Sequence, residues 1–152
     1  MNNLTIEKIN QETDTTLIKI TAASSLIVGI QYFYIGSDDG FSEEIERIEH
    51  YLKNFKQDCY IEVGKKKGKY ATGFSLEFLK ARFNGSLDIE VDLEIDNRHK
   101  NIKRYKKNEL NRCICYVETH LIALEEFVKE LSLLPSAEVG TIIKLNKEDF
   151  HF

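Results

Sequence analysis

The sequence predicts an α+β fold: a mostly antiparallel β-sheet of roughly six to eight strands with two amphipathic helices packed on one face. Three observations predict it. Most of the chain alternates apolar and polar side chains at the two-residue period of a half-buried strand. Two segments, residues 41–55 and 119–134, change to helical spacing. Asn84-Gly85, between two alternating runs, is a strong hairpin signal.

Residues 4–9 and 15–21 read as short strands joined through the polar NQETDT, and SLIVGIQYFYIG, residues 25–36, is β-branched and aromatic enough for a well-buried strand. In FSEEIERIEHYLKNF, Ile45, Ile48, Leu52 and Phe55 recur at helical spacing. Ser42 is placed to cap that helix, with Glu43 and Glu44 favourable at its positive end. CYIEV, residues 59–63, follows as a strand, and GKKKGK leads onward from it.

A two-residue turn at Asn84-Gly85 sets a hairpin register of Phe78 opposite Val91, Leu76 opposite Leu93 and Phe74 opposite Ile95, which makes one face continuously apolar. On the other face it sets Ala81 against Asp88, Leu79 against Glu90, Glu77 against Asp92 and Ser75 against Glu94. NRCICYVE reads as the next strand. Thr119 is placed to cap a helix carrying Leu121, Leu124, Val128, Leu131 and Leu134, Pro135 stops it, and TIIKL, residues 141–145, is a last strand. The order strand, helix, strand occurs in both 30–63 and 111–145, as an internal duplication or a common motif would produce.

With 152 residues, 42% of them hydrophobic and 30% charged, the chain suits one domain spanning 1–152. Its first residues lack the basic and apolar regions of a secretory signal, and no apolar run reaches the ~18 residues of a membrane span. The expectation is a cytoplasmic protein. Cys59, Cys113 and Cys115 are odd in number, and two of them alternate along one strand, so reduced thiols are expected. Net charge is −4, but ten of the 21 basic residues lie in two runs, GKKKGK at 64–69 and NRHKNIKRYKKN at 97–108. The rest of the chain is strongly acidic.

No catalytic signature is present. Cys113-x-Cys115 lacks a second ligand pair at structural zinc spacing, and GKKKGK lacks the length and the Ser or Thr of a phosphate loop. Four scattered histidines form no triad motif. The basic segment 97–108, with Tyr105 to stack on a base, would suit nucleic acid, but the low pI of 5.6 and the neighbouring acids oppose phosphate. The protein is therefore expected to be non-enzymatic, without cofactor, metal, membrane or nucleic-acid partner.

SLDIEVDLEID, residues 86–96, concentrates the functional question. Asp88, Glu90, Asp92, Glu94 and Asp96 share one strand face, and Glu77 on the hairpin partner adds a sixth like charge. Same-face residues on a strand lie ~7 Å apart, too far for neighbours to ligate one ion alone. The row is then a solvated sheet face, a surface steering a basic partner, or the lining against which the basic loop folds. Glu77, Asp88, Glu90, Asp92 and Glu94 are the candidate partner-binding residues.

The order GSLDIEVDLEI, CYVETHLIALEEFVKELSLL and a short terminal strand, residues 85–145, resembles small bacterial immunity proteins that neutralise polymorphic or contact-delivered toxins. The resemblance rests on a strand running directly into a helix with Leu121, Leu124, Phe127 and Leu131. It implies a non-enzymatic protein that binds a toxin domain, often a basic nuclease, through an acidic surface. The basic run 97–108 departs from that pattern. The alternatives are a structural or regulatory domain that self-associates through a sheet edge, and a small hydrolase using Cys or His with carboxylates.

Overall fold

The structure, a computed structural model, describes residues 2–63, 72–95 and 111–147. Both basic runs, 64–69 and 97–108, lie outside the described residues. Along the chain come β1 (Asn3–Gln11), β2 (Thr15–Ala23), β3 (Val28–Gly36), α1 (Ser42–Lys53), β4 (Cys59–Val63), β5 (Thr72–Phe78), β6 (Ser86–Ile95), β7 (Asn111–His120), α2 (Leu121–Leu133) and β8 (Ile142–Lys144). The α+β class is as the alternating and helical spacings predict. The strands form two four-stranded antiparallel sheets, ordered β3-β2-β1-β8 and β4-β5-β6-β7.

Alternation decides which face of each strand is buried. Leu4 and Ile6 on β1, Ile18, Ile20 and Ala22 on β2, and Phe33 and Ile35 on β3 point to one side of the first sheet. Phe74, Leu76 and Phe78 on β5, with Leu87, Ile89, Val91 and Leu93 on β6, do the same in the second. The two apolar faces meet in one contiguous core that also takes Ile48 and Tyr51 from α1 and Leu124, Phe127, Val128 and Leu131 from α2. β3 lies across β5, β6 and β7, and the Phe33 and Phe74 rings stand 4.7 Å apart where it crosses. Gly29 makes the close approach possible, because a Cβ there would stand 2.8 Å from Cys113 Sγ and 2.9 Å from Leu93 Cδ1.

The two strand-helix-strand runs in the sequence are the two crossovers between sheets. α1 carries the chain from β3, an edge of the first sheet, to β4, an edge of the second; α2 carries it from β7 back to β8. Both helix caps differ from the expected ones. Phe41, not Ser42, is the residue before α1, and it makes no side-chain cap. Thr119 is buried at the end of β7, donating to Asn146 Oδ1 at 2.7 Å, and His120 caps α2 by accepting the Ile122 N–H at its Nδ1. Phe55, expected on the buried face of the first helix, lies beyond its end and is 37% exposed; Tyr51 takes the core position.

The hairpin register also differs from the two-residue-turn expectation. Phe78 faces Ile89, Leu76 faces Val91 and Phe74 faces Leu93, a slip of two residues. Two local events produce it. Gly85 N–H donates to Arg82 O and Arg82 N–H to Ser86 O, so Phe83, Asn84 and Gly85 form a three-residue loop with Gly85 at φ +85°. Farther along, Lys80 N–H is taken by Asp58 Oδ1 and Ala81 N–H by Phe55 O, which draws this segment away from β6. A slip of two preserves parity, so the same residues share each face.

Tyr51 ties α1 to this hairpin, donating its hydroxyl to Leu79 O at 2.6 Å. Burial, then the charges of Asp58 and Cys59, push its pKa from 10.0 up to about 12. The folded state thus holds a proton that the unfolded state releases near pH 10, so Tyr51's contribution is complete below that pH and is lost as pH rises toward 12. Urea midpoints measured at pH 9 and pH 11 are expected to fall less in Tyr51→Phe than in the wild type. Equal falls would show that Tyr51 does not carry the alkaline sensitivity.

Candidate functional site

The outer face of the β4–β7 sheet collects the five candidate partner-binding carboxylates, while Asp96 lies outside the described residues. β4 presents Tyr60 and Glu62, β5 presents Ser75 and Glu77, β6 presents Asp88, Glu90, Asp92 and Glu94, and β7 presents Arg112, Ile114, Tyr116 and Glu118. Register sets the cross-strand neighbours. Glu77 faces Glu90 and not Asp92; Ser75 faces Asp92; Asp88 faces Glu118; and Glu94 faces Arg112. Among the described residues this face and its hairpin loop carry seven carboxylates against two guanidiniums, Arg82 and Arg112.

The five candidate carboxylates are not equivalent. Asp92 is only 3% exposed, and Arg112 chelates it: Nε lies 3.0 and 3.1 Å from the two carboxylate oxygens and Nη2 2.5 Å from Oδ2. Those hydrogen bonds, and then the Asp92 charge, raise the guanidinium above its ordinary range, so it stays protonated. Arg112 Nε also lies 3.5 Å from Glu94. Asp88 pairs with Arg82. Glu90 accepts the Tyr116 hydroxyl at 2.8 Å, a bond that pushes the phenol pKa up. Asp92 is therefore an internal counter-ion, and Glu77, Asp88, Glu90 and Glu94 form the accessible part of the row with Glu118.

Among the described residues the answering bases come from β7 and the hairpin loop. Sequence reading along one strand missed both, and Arg112 was legible only through parity: placed next to β6, an alternating β7 turns Arg112, Ile114 and Tyr116 to the acidic side. The same parity turns Cys113 and Cys115 inward while His120 faces out, so these groups do not converge. Half-exposed Tyr60, Ile114 and Tyr116 add apolar and aromatic surface among the acids. Acids interleaved with tyrosines suit long cationic side chains, which use both charge and ring faces.

A concavity lies between α1 and β4, with Arg47, His50, Asp58 and Cys59 among its lining residues. Its chemistry is poor for nucleophilic catalysis. Cys59 Sγ lies 3.7 Å from Arg47 O, and burial pushes its thiol pKa up, away from the reactive thiolate. His120 is engaged elsewhere, with Nε2 3.0 Å from Asn84 O and Nδ1 accepting from Ile122. Among the described residues no three His, Cys, Asp or Glu side chains are grouped to hold a metal ion, and no helix is long and apolar enough to cross a membrane.

No family model matches this chain, and no curated protein does. Among solved structures it is similar to the plant transcriptional regulator PBF-2, with 10% identity and a TM-score of 0.46 over 89% of this chain and 76% of that one.

Proposed function

We propose that the protein is a non-catalytic, cytoplasmic binding module whose outer β4–β7 face docks a basic protein partner, in the manner of the bacterial immunity proteins that residues 85–145 resemble. The carrying observation is the acid-acid opposition of Glu77 and Glu90 on adjacent strands at the centre of one sheet face, flanked by Asp88, which pairs with Arg82, opposite Glu118. Like charges directly opposite destabilise a free sheet. Lysines or arginines of a partner would relieve that repulsion, which makes it a source of binding energy and of steering.

The experiment is Glu77→Lys with Glu90→Lys, read against a basic nuclease domain, the partner class that the resemblance implies. Affinity is expected to fall ~30- to 100-fold, with a weaker salt dependence. Glu77→Lys alone is expected to stabilise the free protein by about 0.5 kcal/mol, since it turns a repulsive cross-strand pair into an attractive one. Unchanged affinity and salt-insensitive association would refute the reading.

A further inference from the structure

Among the described residues, three of the four sheet edges are guarded by their own length or charge. β4 is five residues long and carries Glu62, β7 carries Arg112 and Glu118, and β8 is three residues long and carries Lys144. Charge and short length are how sheets avoid pairing edge to edge. β3 has neither protection. Its nine residues, VGIQYFYIG, hold no charge and no proline, and it ends its sheet, paired to β2 along its whole length.

The outer side of β3 is also apolar. Val28 is 64% exposed, Ile30 47% and Tyr34 56%, and Leu26, in the turn before the strand, is 92% exposed. Tyr32 lies in the same row, with Lys19 of β2 over its ring at 5.9 Å. The inward side chains Gln31, Phe33 and Ile35 are committed to the core, and Gln31 donates to Glu94 O at 2.6 Å. Among the described residues no strand pairs with this edge, which offers a backbone ladder with a neutral, apolar flank.

The geometry points to a second copy of this chain on the β3 edge, its β3 antiparallel to the first, so that two four-stranded sheets become one of eight across a two-fold axis. Full overlap sets Tyr32 opposite the partner's Tyr32, and Ile30 opposite the partner's Tyr34. Charge chooses this occupant. A strongly charged ligand would find only Lys19 as a neighbouring charge on the facing β2 row, whereas a second β3 brings no charge of its own. The candidate carboxylates of both copies remain on the other sheet, so the chain's net −4 does not oppose the approach locally. A nine-residue strand runs about 30 Å, long enough for a continuous ladder between the two copies.

Sedimentation equilibrium over a concentration series tests this. The wild-type mass is expected to rise from 17.6 kDa to twice that value, and Ile30→Lys to stay at 17.6 kDa throughout with an unchanged circular dichroism spectrum. Tyr32→Cys supplies a second measurement: oxidation is expected to yield a covalent dimer that the wild type, with its native thiols, does not form. Glu77→Lys with Glu90→Lys is expected to leave the dimer intact, so the two surfaces fail independently. A wild type that remains monomeric, a dimer that survives Ile30→Lys, or a monomer whose β3 edge takes up an unrelated extended peptide would each overturn the proposal.

Discussion

Phe74→Ala is expected to cost about 3–5 kcal/mol, a large share of the ~5–15 kcal/mol that separates folded from unfolded domains. Phe74 is fully buried on β5, and its ring meets that of Phe33 on β3 at 4.7 Å. Phe33 in turn meets Phe41, just before α1, at 6.3 Å in an edge-on arrangement. One side chain thus helps to hold the second sheet, the crossing strand of the first and the entry to the helix that joins them. Truncation removes the transfer energy of the ring and leaves a cavity between two hydrogen-bonded sheets, which cannot close it without breaking ladders. The check is a lower urea midpoint with an unchanged slope. Phe83→Ala, in the fully exposed hairpin loop, is the matched control and should change stability by less than about 0.5 kcal/mol. A loss at Phe74 no larger than the control's would contradict a continuous core between the sheets.

Parity was legible in the sequence because burial of one face enforces it. The alternation through Phe74, Leu76 and Phe78 and through Ile89, Val91 and Leu93 identified inward residues that the structure buries. Partnership was not legible. The amide of Ala81 bonds to Phe55 O, far away in sequence, and nothing in the Asn84-Gly85 dipeptide reports that competition. Division into two sheets was hidden for a related reason: a strand alternates identically whether its apolar side faces a helix or a second sheet. Thr119 shows how a local rule loses to a tertiary one. It has cap chemistry beside a helix, but it is also an inward position of β7, and the Asn146 side chain claims its hydroxyl.

The acidic row was read correctly as one face and incompletely as one sign. Seen along β6 alone it holds no base, yet the neighbouring strand supplies Arg112 and Tyr116 and the hairpin loop supplies Arg82. That neutralisation is selective. It is strongest at Asp92, the buried member, while the centre of the face keeps Glu77 opposite Glu90. The binding test accordingly falls on those two glutamates.

Asp92→Lys is expected to destabilise the protein by about 3 kcal/mol or more, and Asp92→Asn by only about 1–2 kcal/mol. The difference follows from where each charge sits. Asp92 is almost wholly buried between Ser75 and Ile114, and its negative charge is compensated by two-pronged contact with Arg112. Arg112 is half-exposed, so once released it regains water and contributes little to the loss. Lysine at position 92, by contrast, must place an ammonium beside that guanidinium in a site that excludes solvent, or push the two strands apart to escape. Asparagine keeps the shape and still accepts a hydrogen bond, and forfeits only the ionic part. Urea midpoints at low and high salt read the comparison. The wild-type advantage over Asp92→Asn should change little with salt, because a buried pair is weakly screened, while Glu77→Lys should shift the midpoint chiefly at low salt. An Asp92→Lys protein as stable as the wild type would mean that Asp92 is an ordinary surface acid, and would return it to the binding face.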